Sequence, residues 1–239
     1  GFERFCAGET DISNASRQID EDEVATCEEN GIEYVELRVA TDALTNVVNL
    51  ENDWATCLTV EQLNAIWKPK SAVTNWNQVD PSYPDQPLKL YGAGTDSGTF
   101  DYFTDVINGE EGASRTDFSA TEDDNVTVQG VSGDKGALGY FGFSYFEENQ
   151  DKLKALEVDA GSGCVAPSVE TAQNDTYTPL SRPLFMYVKL SSLTDNQAVS
   201  DFMTYTLENA ATIATEAQFV PLNQEQIAEQ EQNLEDATA

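Results

Sequence analysis

At 239 residues the chain can hold one large domain or two small ones. Its 40% hydrophobic and 10% aromatic content suits a packed globular protein and excludes wholesale disorder. Forty-three acidic residues against twelve basic ones give a formal charge of -31, which repels nucleic acid and anionic lipid heads and excludes both as partners.

Histidine is absent. A Ser-His-Asp or Cys-His nucleophile is therefore excluded, and the commonest general base and zinc ligand are missing. No enzyme and no cofactor is expected. The acids are scattered and form no D-x-D-x-D-G loop, so they read as a solvated surface and not as a cation store.

Four cysteines, Cys6, Cys27, Cys57 and Cys164, allow three pairings and suit two disulfides. If Cys6 and Cys27 close a short loop, Cys57 and Cys164 close a long one. None lies in a C-x-x-C pair, so neither a zinc ribbon nor a thioredoxin-type site is expected. Disulfides imply an oxidising compartment. No apolar run reaches the roughly 18 residues that a membrane span needs.

Along the chain, Thr10–Ile12 reads as a short strand, followed by a polar turn from Ser13 to Arg17. Glu21 to Asn30 reads as a helix stopped by Gly31. The β-rich stretch Ile32 to Asn49 is long for one strand, and a strand crossing between two lobes would explain it. Thr59 and Gln62 form a capping box that opens a helix with Leu63, Ile66 and Trp67 on one face; Pro69 ends it. Residues 68–87 are a proline-rich loop.

Leu88–Tyr91 is a predicted strand that runs into Gly92-Ala-Gly-Thr-Asp-Ser-Gly-Thr99. A helix follows, with Phe100, Phe103 and Ile107 at helical spacing. Residues 108–125 read as surface loop, Val126–Val131 as a strand, Gly136–Phe141 as a glycine-punctuated apolar strand and Tyr145–Leu153 as a helix. Residues 159–181 read as loop and Leu184–Leu190 as a buried strand. Asn196–Ala211 reads as an amphipathic helix with Val199, Phe202, Met203 and Leu207 inward, and Gln224–Leu234 as a polar final helix. Alternating strands and helices indicate an α/β fold.

Two segments carry the chemistry. Thr95-Asp-Ser-Gly-Thr99 lies between a strand and a helix. The first turn of a helix has N–H groups without intrahelical acceptors at the positive end of its dipole, which makes it an anion site. Gly98 lets an oxyanion approach the backbone, and the Ser97 and Thr99 hydroxyls add donors. No lysine follows the glycines, so this is not a Walker loop. The second segment is Asp11-Ile-Ser-Asn-Ala-Ser-Arg17. Arg17 is one of five arginines, and a guanidinium can hold an oxyanion through two parallel hydrogen bonds. The competing reading of Arg17 is a surface ion pair with one of the many acids.

Gly1-Phe-Glu-Arg-Phe-Cys-Ala-Gly-Glu-Thr-Asp-Ile-Ser-Asn-Ala-Ser-Arg17, Asp53-Trp-Ala-Thr-Cys-Leu-Thr59, Gly94-Thr-Asp-Ser-Gly-Thr-Phe-Asp-Tyr-Phe103 and Ala137-Leu-Gly-Tyr-Phe-Gly142 together resemble the PstS-type periplasmic phosphate-binding proteins. The likeness runs over nearly the whole chain in the right order. It implies a two-lobed type II periplasmic-binding-protein fold with crossover strands, with lobe I at 1–44 and 181–239 and lobe II at 45–180. It implies inorganic phosphate held by Ser16 and Arg17 from one lobe and by Ser97, Gly98 and Thr99 from the other. Asp96 or Asp11 would accept the proton that phosphate, unlike sulfate, still carries. The implied partner is the permease of an ABC importer, and the implied location is the periplasm or the cell surface.

Members of that family carry an earlier strand and helix, with a Gly-Ser-Thr loop and a glycine-rich turn that add phosphate donors. The chain resembles a member without that segment, and is expected to be a monomer unless another chain supplies it. The alternatives are a receptor for another tetrahedral oxyanion, such as sulfate or molybdate, and a structural or filament protein built on the same scaffold.

Overall fold

The computed structural model describes residues 1–238, which cluster into two units: Gly1–Asp42 with Arg182 onward, and Ala43–Ser181. In chain order the elements begin with α1 (Phe2–Cys6), β1 (Ile12–Ala15), α2 (Glu21–Glu29) and β2 (Tyr34–Asn49). Next come β3 (Cys57–Thr59), α3 (Val60–Trp67), β4 (Lys89–Ala93), α4 (Gly98–Asn108), β5 (Ser119–Thr121) and α5 (Asp124–Ser132). They are followed by β6 (Ala137–Gly142), α6 (Phe143–Glu147), β7 (Leu153–Ala155), β8 (Glu157–Asp159), β9 (Cys164–Val165) and α7 (Val169–Gln173). The chain closes with β10 (Ser181–Lys189), α8 (Leu190–Asp195), α9 (Gln197–Glu208), α10 (Ala210–Glu216) and α11 (Gln224–Thr238).

In the first unit β1 pairs antiparallel with β10, Ile12 facing Val188 and Ala15 facing Phe185, and β10 neighbours β2. Successive side chains of a strand point to opposite faces, and β10 shows why both faces are covered. Met186 and Val188 pack with Leu193, Met203 and Leu234 of the C-terminal helices. Phe185 and Tyr187 pack on the other face with Phe2, Phe5 and the Cys6–Cys27 disulfide. A short run of consecutive apolar residues is therefore the signature of a strand buried on both sides.

The second unit repeats this logic around β6, which lies antiparallel to β2 and parallel to β4. Leu138 and Tyr140 face the core made by α3 and α4, where Trp67 meets Tyr140 edge-on and Phe103 stacks on it at 3.8 Å. Ala137 and Phe141 face α5, with Val128 and Val131. Gly139 belongs to that second face. A Cβ there would meet methyls of Thr127 and Val131 at 2.9 Å, so its glycine lets α5 lie against the sheet. A small sheet of β3, β8 and β9 carries the Cys57–Cys164 disulfide.

Four sequence expectations are corrected. Val126–Val131 is not a strand but the body of α5. Asp123 caps it by accepting from the Asn125 amide at 3.0 Å, and Thr127, Val128 and Val131 share one buried face. Ser13–Ala15, read as turn, is the body of β1, and the expected helix from Tyr145 shortens to α6 with a turn after it. Phe202, expected inward, is 50% exposed, because Val199, Met203, Thr206 and Leu207 form the buried stripe of α9. It borders an apolar cavity of about 540 Å³ in the first unit, lined also by Ala15, Val39, Tyr205 and Ile213. That lining offers no charged group to an anion.

The Cys57–Cys164 bond joins residues 107 apart. Closing a loop of that length restricts the unfolded chain, by about 4–5 kcal/mol in the entropic limit. Replacing both cysteines by serine is expected to lower unfolding free energy by about 2–5 kcal/mol. Denaturant titration measures it, and a loss under about 0.5 kcal/mol would contradict the role given to this bond.

Candidate functional site

The Thr95–Thr99 segment folds as anticipated, as the turn between β4 and α4. Gly94 accepts at its carbonyl from the Ser97 amide at 3.1 Å, which tightens the chain into the helix. Ser97 is the N-cap, and its Oγ accepts from the Thr99 amide at 3.2 Å. The Asp101 amide returns to the Ser97 carbonyl at 3.2 Å. The amides of Gly98 and Phe100 lie in the first turn, where no helical acceptor exists. Gly109, at φ +78°, closes the far end of α4 in the left-handed conformation that glycine adopts without strain.

The space in front of this turn is open. Thr95, Asp96 and Gly98 are exposed, and a Cβ on Gly98 would touch nothing within 4 Å. Gly98 places no side chain of its own in front of the turn. Phe100 and Phe103 fix the helix from behind by burial in the core. Hydroxyls and main-chain amides thus converge at a helix end on solvent-accessible ground, the arrangement that holds tetrahedral oxyanions.

A carboxylate missed in the sequence adjoins the turn. The Asp96 amide donates to Glu122 Oε1 at 3.4 Å, and a Cβ on Gly94 would lie 2.0 Å from that oxygen. Gly94 is therefore required for Glu122 to reach across. Burial, helped by Asp123 and Glu122, pushes the Asp124 carboxyl upward. Negative charge is dense here, and only the direct donors favour an anion.

In the first unit Ser16 and Arg17 follow β1 directly. Arg17 is engaged: Nη1 and Nη2 donate to the two oxygens of Glu23 at 2.8 Å each, and Nη1 also donates to the Gln18 carbonyl. Its guanidinium lies 5.1 Å from the centroid of the Phe2 ring. Glu23 belongs to the capping box of α2 with Asp20. The hydrogen bond from Arg17 holds the Glu23 carboxyl below its usual range, so Glu23 is ionised at neutral pH. Arg17 thus stands in an ion pair with Glu23.

A second guanidinium was not singled out in the sequence. Arg182 Nη1 lies 3.4 Å from Ser16 Oγ, while its Nε and Nη2 each lie 3.1 Å from Asp42 Oδ2. Asp42 stands on β2 and Arg182 on β10, so the sheet and not the local sequence brings them together. Asp11 is occupied elsewhere, accepting from Ser192 Oγ at 2.6 Å. Cys57, Glu157 and Cys164 have the spacing of metal ligands, but both sulfurs are in the disulfide and bind no metal.

Residues 1–210 match the PBP superfamily domain. Protein SphX of Synechocystis sp. is 51% identical over 227 residues, which cover 94% of this chain and 68% of that protein. The phosphate-binding protein PstS of Staphylococcus saprophyticus is 38% identical over 237 residues, 99% of this chain and 72% of the relative. The crystal structure of a possible phosphate binding protein from Planctomyces limnophilus matches with a TM-score of 0.95 at 45% identity, covering 100% of this chain and 85% of that one. SphX of Synechococcus elongatus is 49% identical, and the chain covers 66% of it. The chain thus spans about two thirds of the length of the cyanobacterial relatives. Its two α/β units are those of the two-lobed periplasmic-binding-protein fold, and the chain belongs to the PBP superfamily, in the family of PstS-type phosphate-binding proteins.

Proposed function

We propose that this protein binds inorganic phosphate and delivers it to the permease of an ABC importer, in the periplasm or at the cell surface. The start of α4 carries this reading: unpaired amides, two hydroxyls and open space at a helix N-terminus, in a chain related to proteins named for phosphate binding. Ser97, Gly98 and Thr99 supply donors from the second unit, and Ser16 and Arg17 supply them from the first. Asp96, exposed in the same turn, is a candidate acceptor for the phosphate proton. Two disulfides suit the oxidising location.

The charge of -31 opposes an approaching anion, but salt screens exposed charges beyond about 8–10 Å. Hydrogen bonds with a charged partner contribute about 1.5–3 kcal/mol each. Four or five of them, less the cost of ordering, suffice for micromolar affinity at about -8 kcal/mol. Arg17 joins the phosphate by exchanging its Glu23 partner for phosphate oxygens, one bidentate charge-assisted contact for another.

Calorimetric titration of the intact protein with phosphate tests the function, and no heat at millimolar phosphate would refute it. Arg17→Ala is expected to weaken binding at least tenfold, and an unchanged Kd would remove Arg17 from the site. Glu23→Gln keeps the capping box but releases Arg17 from a competing charge. It is expected to tighten phosphate binding about threefold, within the roughly 0.2–1 kcal/mol of an exposed ion pair. Weaker binding in that variant would show Glu23 to be a support for Arg17 and not its competitor.

A further inference from the structure

Tyr187 is buried on β10, yet its phenol joins two hydrogen bonds. The hydroxyl donates to Glu36 Oε2 at 2.6 Å and accepts from the Ile19 amide at 2.9 Å. Glu36 stands on β2, the neighbour of β10 in the sheet. Its other oxygen, Oε1, accepts from Gln18 Nε2 at 3.1 Å. One carboxylate therefore holds residues 18 and 19, the first directly and the second through the phenol. These two residues follow Ser16 and Arg17 in the chain.

The ring of Tyr187 adds to this support. Phe2 meets it edge-on with centroids 4.8 Å apart, and the Arg17 guanidinium lies 5.1 Å from the centroid of Phe2. Tyr34 meets the Tyr187 ring edge-on at 5.6 Å. Arg17 thus lies over a ring that packs on Tyr187, and its main chain leads into the amide that Tyr187 holds. Ordering a loop costs conformational entropy. A turn held beforehand lowers that cost when a ligand arrives.

We propose that Tyr187 is the positioning residue for the first unit's phosphate donors: its phenol, anchored on Glu36, fixes residues 17–19 so that Arg17 meets the anion from an ordered backbone. Tyr187 acts through Arg17 and is not itself a ligand. The assignment rests on the reading of the protein as a phosphate receptor. Burial, and then the hydrogen bond to Glu36, push the phenol upward, so it keeps its proton and remains a donor. Any buried tyrosine hydroxyl needs a partner. This one has two, and one of them is an amide 168 positions away, two residues beyond Arg17.

Calorimetry with phosphate on the unmutated protein, Tyr187→Phe, Arg17→Ala and the double variant tests the role. Tyr187→Phe keeps the ring and removes only the hydroxyl. It is expected to weaken phosphate binding about fivefold, the range of one net hydrogen bond, and to speed hydrogen exchange at the Ile19 amide. In the Arg17→Ala background the same change is expected to move the Kd by less than about twofold. Should Tyr187→Phe not fold, Gln18→Ala releases the other oxygen of Glu36 from the protein surface and is expected to weaken binding about threefold. A folded Tyr187→Phe protein with an unchanged Kd, whatever its melting temperature, would make the phenol core structure alone and overturn the proposal; in its place, an unchanged Kd in Gln18→Ala would do the same. A fivefold loss that persists without Arg17, or an Arg17→Ala protein with an unchanged Kd, would also overturn it. An unmutated protein that binds no phosphate would overturn the receptor reading itself, while exchange at the Ile19 amide in Tyr187→Phe would still report whether the phenol holds the turn.

Discussion

An anion can settle on a chain of charge -31 only where short-range donors outweigh the surrounding carboxylates. Everything functional in this protein depends on that local imbalance. At the start of α4 the donors are main-chain amides and hydroxyls, which carry no charge that the acids could neutralise. Glu122, Asp123 and Asp124 crowd the same corner, where Glu122 accepts from the Asp96 amide. The amides of the helix end do not titrate, so these donors persist whatever the pH.

The scarce cations follow a different rule. Arg115 is buried and serves structure, donating to the carbonyls of Ile66 and Val73 and pairing with Asp117. Lys89 pairs with Asp134, and Lys135 with Asp53. Arg17 and Arg182 both border Ser16 in sequence or in space, and each is held by a carboxylate, Glu23 or Asp42. The difference between the two lies in how they are held: Glu23 takes both terminal nitrogens of Arg17, whereas Asp42 leaves Nη1 of Arg182 on the Ser16 side.

Much of the fold was legible because its signals are local. The Thr59–Gln62 capping box, the Gly31 helix stop and the apolar period of α4 each lie within one element. The sixteen-residue β2 was readable as one long strand because no glycine or proline interrupts it. The strand expected at Val126 failed where local preference is weak. Valine favours strands, but the Asp123 cap and the glycine opposite, Gly139, decide for a helix. The Ser97 turn was readable from its composition. The engagement of Arg17 by Glu23 was not, since the two lie six residues apart across a turn and share no helix face. Asp42 is one acid among forty-three, and its partner stands 140 residues away. Only the pairing of β2 with β10 makes it distinct.

The most direct measurement is a crystal structure of the intact protein grown with phosphate. The account predicts a tetrahedral density accepting from the Gly98 and Phe100 amides and the Ser97 and Thr99 hydroxyls of α4. Phosphate found on a different surface, with the first turn of α4 occupied by water at saturating ligand, would contradict it.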